Sequence, residues 1–360
     1  MKKTYLFDGH LTTQAPFATC SMSLAATRIK PKEDPLPVPV IKTSSGDRMY
    51  IPGQGIRSKL RGALTHIAGK FTLDANEALS LMDAQYLRLG GVKQAGDEAK
   101  IDPVKMAAMI SKNPVIGLFG AGSPWVTGKA MIGHAIDDTL IEKGVYGPIL
   151  IDGVRSSMLR RDPTLVNYLD EDATELLNSL SDEVKASSRI KKQIKEKELE
   201  IKACKDPETK IQLRSDLKEF EKSTKDDITN SEQMPLNGYK AIPPYSRLSH
   251  KMRLIGVDQV ELGAFIAAIE VFAENPVLGA HASHGCGEVS GEWQVTTPGG
   301  GVVGVISFSW SGGLVIEGDA LVAASKAFDA GIAGGMFDFH VDKTMLSAKA
   351  STDKGASDEE

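Results

Sequence analysis

The stretch "YIPGQGIRSKLRGAL", Tyr50 to Leu64, constrains this chain more than any other. A strand-like start runs into Pro52, Gly53 and Gly55. Then Ile56, Leu60, Ala63, Leu64 and Ile67 recur at helical spacing. The pattern predicts a helix that begins after Gly55 and ends at Gly69. Its entrance carries Arg57, Lys59 and Arg61, although 42 basic against 47 acidic residues leave the chain at a net charge of −5. Helix N-terminal amides point outward unpaired, and the helix dipole favours anions there. Gly53 and Gly55 let a polyanion backbone come close. Arg57 and Arg61, one turn apart, can each grip phosphate through two bonds, and Ser58 adds a hydroxyl. The same charges also suit a solvated helix edge, and the residues alone leave both readings open.

A length of 360 residues allows one large domain or two ordinary ones. Hydrophobic residues at 41% and charged residues at 25% are normal for a soluble globular protein. There is no apolar run of transmembrane length, and "MKKTYLFDGHLTT" meets Asp8 and His10 before any signal-like stretch. Cys20, Cys204 and Cys286 lie far apart without a CxxC, which suits a reducing cytoplasm.

Along the chain, residues 4–30 read as extended. The proline-rich Lys30–Lys42 reads as an extended loop, because Pro31, Pro35, Pro37 and Pro39 exclude a helix and a central strand. Residues 75–115 read as mostly helical, Gly128–Asp137 as one strand, and Ile149–Pro163 as a strand start followed by the basic Arg155, Arg160 and Arg161. From about 163 to 235 the composition turns to Lys and Glu with sparse apolar positions and a break at Asp206-Pro207, which predicts two solvated helices in a hairpin. Val260–Asn275 reads as a buried helix, "GAHASHGCGEV" as a glycine-rich turn, and "GEWQV", "GVVGVISFSW" and "GLVIEG" as the last strands. The C-terminal "STDKGASDEE" reads as a disordered acidic tail.

Three chemical motifs fail on inspection. In "GAGSPWVTGKA", Ser123 stands where a P-loop needs its first glycine and Ala130 where it needs the magnesium-binding hydroxyl. His281, His284 and Cys286 offer three zinc ligands without an obvious fourth, so the bland reading, a glycine turn at a close backbone approach, is preferred. No G-x-S-x-G elbow exists. Neither a cofactor nor a metal site is expected.

"YIPGQGIRSKLRGAL" resembles the I-P-G-x-x-[LI]-[KR]-x-x-[LM]-R element of the RAMP superfamily of CRISPR-associated proteins. "PVIK" precedes it, and "GLFGAGSPWVTGKAMIGHAID", "ILIDGVRSSMLRRDP" and "ELGAFIAAIEVFAENPVLGAHASHGCGEV" resemble further elements of that superfamily in the same order. Together they span most of residues 10–290. The chain is most similar to the guide-RNA-binding (Cas-seven family) backbone subunit, and its length and helical insertion resemble the type IV version. The resemblance implies an α+β fold: an RRM-like, ferredoxin-like palm with an antiparallel sheet from residues 1–162 and 236–345, a thumb-like insertion, and a helical hairpin at 163–235, followed by a tail at 346–360.

It also implies a cytoplasmic, non-enzymatic protein. Further copies of itself would stack along one guide CRISPR RNA beside other effector subunits, and pairing between guide and target nucleic acid would supply sequence specificity. The expected RNA-binding residues are Arg57 and Arg61, then Ser58 and Lys59, with Lys42, Arg155, Arg160 and Arg161 behind them, and Gly53, Gly55, Gly285 and Gly287 for close approach. Cutting relatives carry an Asp before the "PV" of their loop. Alignment on Pro39–Lys42 puts Pro37 there and leaves Asp34 three residues earlier, so cleavage is not expected. Two other functions stay open: a target- or precursor-cutting endoribonuclease using Asp34 or His10, and an RNA-independent scaffold built on the hairpin.

Overall fold

In the computed structural model the described residues are 2–19, 37–91, 103–122, 125–142, 144–151, 171, 189–190, 192–203, 206–224 and 239–341. They form two compact units, one holding those up to Ile151 and from Tyr239 onward, the other those between. The expected boundaries near 162, 235 and 345 fall outside the described residues, as do Cys20, Asp34, Cys204 and the basic Arg155, Arg160 and Arg161.

The first unit is α+β. Its elements run β1 (Lys3–Thr13), β2 (Val40–Thr43), β3 (Gly46–Ile51), α1 (Gly53–Asp74), α2 (Leu81–Leu89), α3 (Pro103–Lys112), α4 (Pro114–Phe119), β4 (Ala121–Gly122), β5 (Trp125–Val126), β6 (Ala130–Ile132), β7 (Ala135–Asp137) and β8 (Ile149–Ile151). After the second unit's α5 (Pro207–Ser223) come β9 (Tyr239–Ala241), β10 (Arg247–Val257), α6 (Gln259–Glu274), β11 (Val289–Thr296), β12 (Val302–Ser309), β13 (Gly313–Glu317) and α7 (Asp319–Ala333).

Nine strands make one sheet in the order β13-β12-β11-β1-β10-β7-β3-β2, with β6 also on β10. Every ladder in it is antiparallel. At its heart, β1, α1, β6, β10, α6 and β11 form a βαββαβ unit with strand order β11-β1-β10-β6. That is the ferredoxin-like arrangement. β10 shows why one face is covered: Leu248, His250, Met252 and Leu254 are buried and alternate with exposed Arg247, Ser249, Lys251 and Arg253. Helices α1, α6 and α7 form the covering layer. α6 begins at a capping box between Asp258 and Glu261 and buries Phe265 edge-on to Phe7, ring centroids 5.5 Å apart.

Several elements differ from the sequence reading. α1 starts at Gly53, so both entrance glycines lie inside it, and it runs through Gly69 to Asp74 because one helical glycine costs only about 1 kcal/mol against the packing of Leu64, Ala68 and Thr72. The single strand expected over Gly128–Asp137 breaks at Gly133–His134 into β6 and β7. Val40–Thr43, read as loop, is an edge strand, the one place in a sheet that tolerates flanking prolines. Neither β10 nor α7 was anticipated as an element.

In the second unit, residues 192–203 are helical and α5 follows. Asp206 caps α5 by accepting from Thr209 N, with Pro207 in the first turn. Lys197 Nζ sits 5.3 Å from the centre of the Phe220 ring, and Ile201 is buried. No described helix is long and apolar enough to cross a membrane.

Candidate nucleic-acid interface

The start of α1 is fixed by the sheet beneath it. Pro52 occupies the N-cap and makes no side-chain cap bond. Instead Gly53 N donates to His134 Nδ1 at 2.9 Å, and His134 packs on the Tyr50 ring. A Cβ at Gly53 would fall 2.3 Å from Gly133 O, so this glycine serves the protein's own backbone approach. Gly55 is exposed and has no atom within 4 Å of a built Cβ, which leaves room for a visitor.

Arg57 and Arg61 leave that helix one turn apart and meet different fates. Arg61 is buried, and its guanidinium is shared among backbone carbonyls: Nε to Leu87, Nη2 to Tyr86 at 2.8 Å and Nη1 to Gly120 at 2.8 Å. It ties α1 to α2 and to the end of α4, so it is not the edge residue the helical pattern implied. Arg57 is half-buried, donates to Phe119 O and lies 5.9 Å from the centre of the Phe119 ring. Burial lowers the Arg57 pKa from its usual value. Burial first, then the charge of Arg57, pulls Arg61 down to about 10.

A cavity of about 260 Å³ opens between these two guanidinium groups and a wall that includes Gly90, Gly120, Gly122 and Gly128. The glycines allow the wall to fold tightly: a Cβ at Gly120, where φ is +66°, would fall 2.4 Å from Val126 O. Ser58 and Lys59 are exposed on the next face. Arg88, from α2, joins them, with Nη1 donating to Ser58 O at 3.1 Å and Ser58 Oγ at 3.2 Å. Sequence reasoning missed Arg88, because only the packing of α2 on α1 brings it there. Among the described residues, none of Arg57, Arg61 and Arg88 forms a salt bridge.

Other expected residues lie elsewhere. Lys42 is exposed opposite Asp47, at the turn end of the β2–β3 hairpin, about five residues or 16 Å along the strand from Pro52. Gly285 and Gly287 lie in the loop before β11. Gly287 serves local packing, since a Cβ there would fall 2.0 Å from Leu278 O, whereas Gly285 has open space. In the same loop His281 stacks on Tyr239, centroids 4.0 Å apart, and Tyr239 OH lies 3.3 Å from buried Cys286 Sγ. No metal-ligand cluster is found among the described residues. His10 sits on the open face of the sheet with Arg247 Nη2 3.3 Å from its Nδ1.

No family model matches the sequence. No curated protein matches it. Among solved structures, a chain of a "Type IV-B CRISPR Complex" superposes with a TM-score of 0.42 at 12% identity, over 82% of this chain and 91% of that one.

Proposed function

We propose that this protein is a guide-RNA-binding backbone subunit of a CRISPR effector complex of type IV character. Copies of it would assemble along the RNA beside other effector subunits, and the guide would be presented to its target without being cut. The observation that carries this reading is the arginine cluster at the start of α1. Arg57 and Arg61 line a glycine-walled cavity, and the charge of Arg88 acts on Arg61 from the Ser58 side, without a carboxylate partner for any of the three among the described residues. Like charges held this close and partly out of water are costly unless an anion joins them. A ribose-phosphate backbone supplies that anion repeatedly and carries no sequence demand.

Arg61 forms the floor through its carbonyl bonds. Arg57 and Arg88 are the groups with donors to spare, and the surface at Gly55 is open. The resemblance of "YIPGQGIRSKLRGAL" and its companions to the RAMP elements supports this reading for Arg57 and Arg61. The test is a salt titration of single-stranded RNA binding. Arg57→Ala and Arg88→Ala should each reduce the slope of log K against log salt by about 0.7, the value for one lost single-strand phosphate contact. An unchanged slope in both folded variants would sink the proposal. RNA recovered after incubation with Mg²⁺ should be intact, and regularly spaced fragments would favour the endoribonuclease reading instead.

A further inference from the structure

On the outer side of the helix layer, a groove of about 820 Å³ runs where α1, α6 and α7 meet. Its floor is apolar: Ile67 and Phe71 from α1, Ala267 and Val271 from α6, Phe328 and Ile332 from α7. Its rim is acidic: Asp74, Glu270, Glu274 and Asp329 are all exposed. Only Lys70 and His66 oppose them among the lining residues. None of the four carboxylates forms a salt bridge among the described residues.

We infer that this groove docks a basic amphipathic helix of a partner protein. The apolar floor needs a stripe of large aliphatic or aromatic anchors, which one face of a helix supplies at i, i+4 and i+7. The carboxylates on the flanks select Lys and Arg beside that stripe, whose alkyl stems also cover apolar surface. Nucleic acid and acidic membranes are repelled by the same rim. The α1 positions that line the groove, 66 to 74, span about 12 Å, so the docked segment is two to three turns long. This inference does not depend on the RNA reading, which concerns the opposite end of α1.

The experiment is fluorescence anisotropy with the full chain, in the absence of RNA. The probe is a labelled leucine–lysine peptide of about 15 residues with an amphipathic helical pattern. A scrambled peptide of the same composition and a leucine–glutamate peptide of the same pattern are the controls. The patterned lysine peptide should bind at least about tenfold more tightly than either control. The double variant Glu270→Lys/Asp329→Lys alters only exposed side chains and should weaken that binding by a further tenfold or more, roughly. Equal binding of the scrambled peptide, or binding untouched by the double variant, would overturn the inference. So would self-association of the free chain that disappears in the double variant, because the occupant would then be a second copy.

Discussion

At its first turns, α1 lines a glycine-walled cavity with Arg57 and Arg61, and Arg88 from α2 bonds Ser58 on the next face. Toward its last turns, about 17 Å further along its axis, it shares an apolar groove with Asp74, Glu270, Glu274 and Asp329. Both ends hold charges without an opposite partner among the described residues, and the signs are reversed. The net charge of −5 is therefore a poor guide to what this protein attracts. The ends also differ in depth. Arg61 and Arg57 at the first end are drawn into the packing and hold elements together, whereas the acids at the second end stand on the rim. Mutations at the first end should disturb fold and binding together; those at the second should disturb binding alone.

The sharpest break in that comparison is Arg61→Ala. It leaves the carbonyls of Leu87, Tyr86 and Gly120 without their shared donor, and the loss should be about 3–5 kcal/mol in urea unfolding, as for a broken buried charge network. Arg57→Ala should cost about 1 kcal/mol or less, since it breaks the bond to Phe119 O, a carbonyl that Arg61 Nη1 also reaches. Equal losses for the two would show that the first end is uniformly structural. The entrance glycines come next. Gly53→Ala forces a Cβ against Gly133 O and should destabilise by about 1–3 kcal/mol, while Gly55→Ala meets open space and should stabilise the helix by about 0.5–1 kcal/mol. If Gly55→Ala also weakens RNA binding, stability and binding separate at one position; if RNA binding is unchanged, the space over Gly55 is not used.

The smallest effect concerns the strap after α7. Phe339 packs on Phe71, centroids 5.6 Å apart, near the acidic end of α1. His340 lies between Asp83, 3.3 Å from its Nδ1, and Glu77, 3.2 Å from its Nε2. Burial alone would lower the His340 pKa, but its bonds to Asp83 and Glu77 raise it above the ordinary value. Burial alone would raise the Asp83 pKa, but bonds from Val341 N, Ser80 and His340 hold it below the usual carboxylate range. The histidine contribution is complete below about pH 6.5 and is lost as pH rises through the raised value. The aspartate contribution is present above about pH 4 and is lost as pH falls through the depressed value. The strap is thus tightest between those limits. Amide exchange at Val341, corrected for its intrinsic rate, should slow in that window, and His340→Gln should remove the alkaline rise. A flat profile in the native chain would separate the strap from this end of α1.

Much of the scaffold could be read from periodicity. The run from Ile56 to Ile67 and the apolar face of Val260–Asn275 both mark helices that formed, because a 3.6-residue repeat is a local signal. "RLSHKMRLIGV" carries a clean alternation that went unread, since its buried positions include His250, a residue type that breaks the usual apolar pattern. His250 is neutral in the core: burial takes its pKa down to about 4, and it accepts from Trp293 Nε1 while facing Gly133 O. The depth of Arg61 was illegible for a different reason. Its partners are backbone carbonyls 25 to 59 positions away, and carbonyls leave no trace in residue identity. Arg88 lay hidden likewise, in a helix whose packing on α1 no motif announces.

β1 sits in the middle of the sheet, with β10 on one side and β11 on the other. Leu11 is paired with Leu248 and with Gly291. Both neighbours therefore leave the ribosome roughly 240–280 residues after β1 does, which at about 5–20 residues per second is at least some 12 seconds. Throughout that interval the strand that will become the centre of the sheet has neither of its edges covered. Closing such long loops before any ladder bond repays them makes slow, late folding the expectation for this unit. The N-terminal strand is consequently the segment a chaperone would find exposed, and the nascent chain would resist protease in this unit only after β11 has emerged.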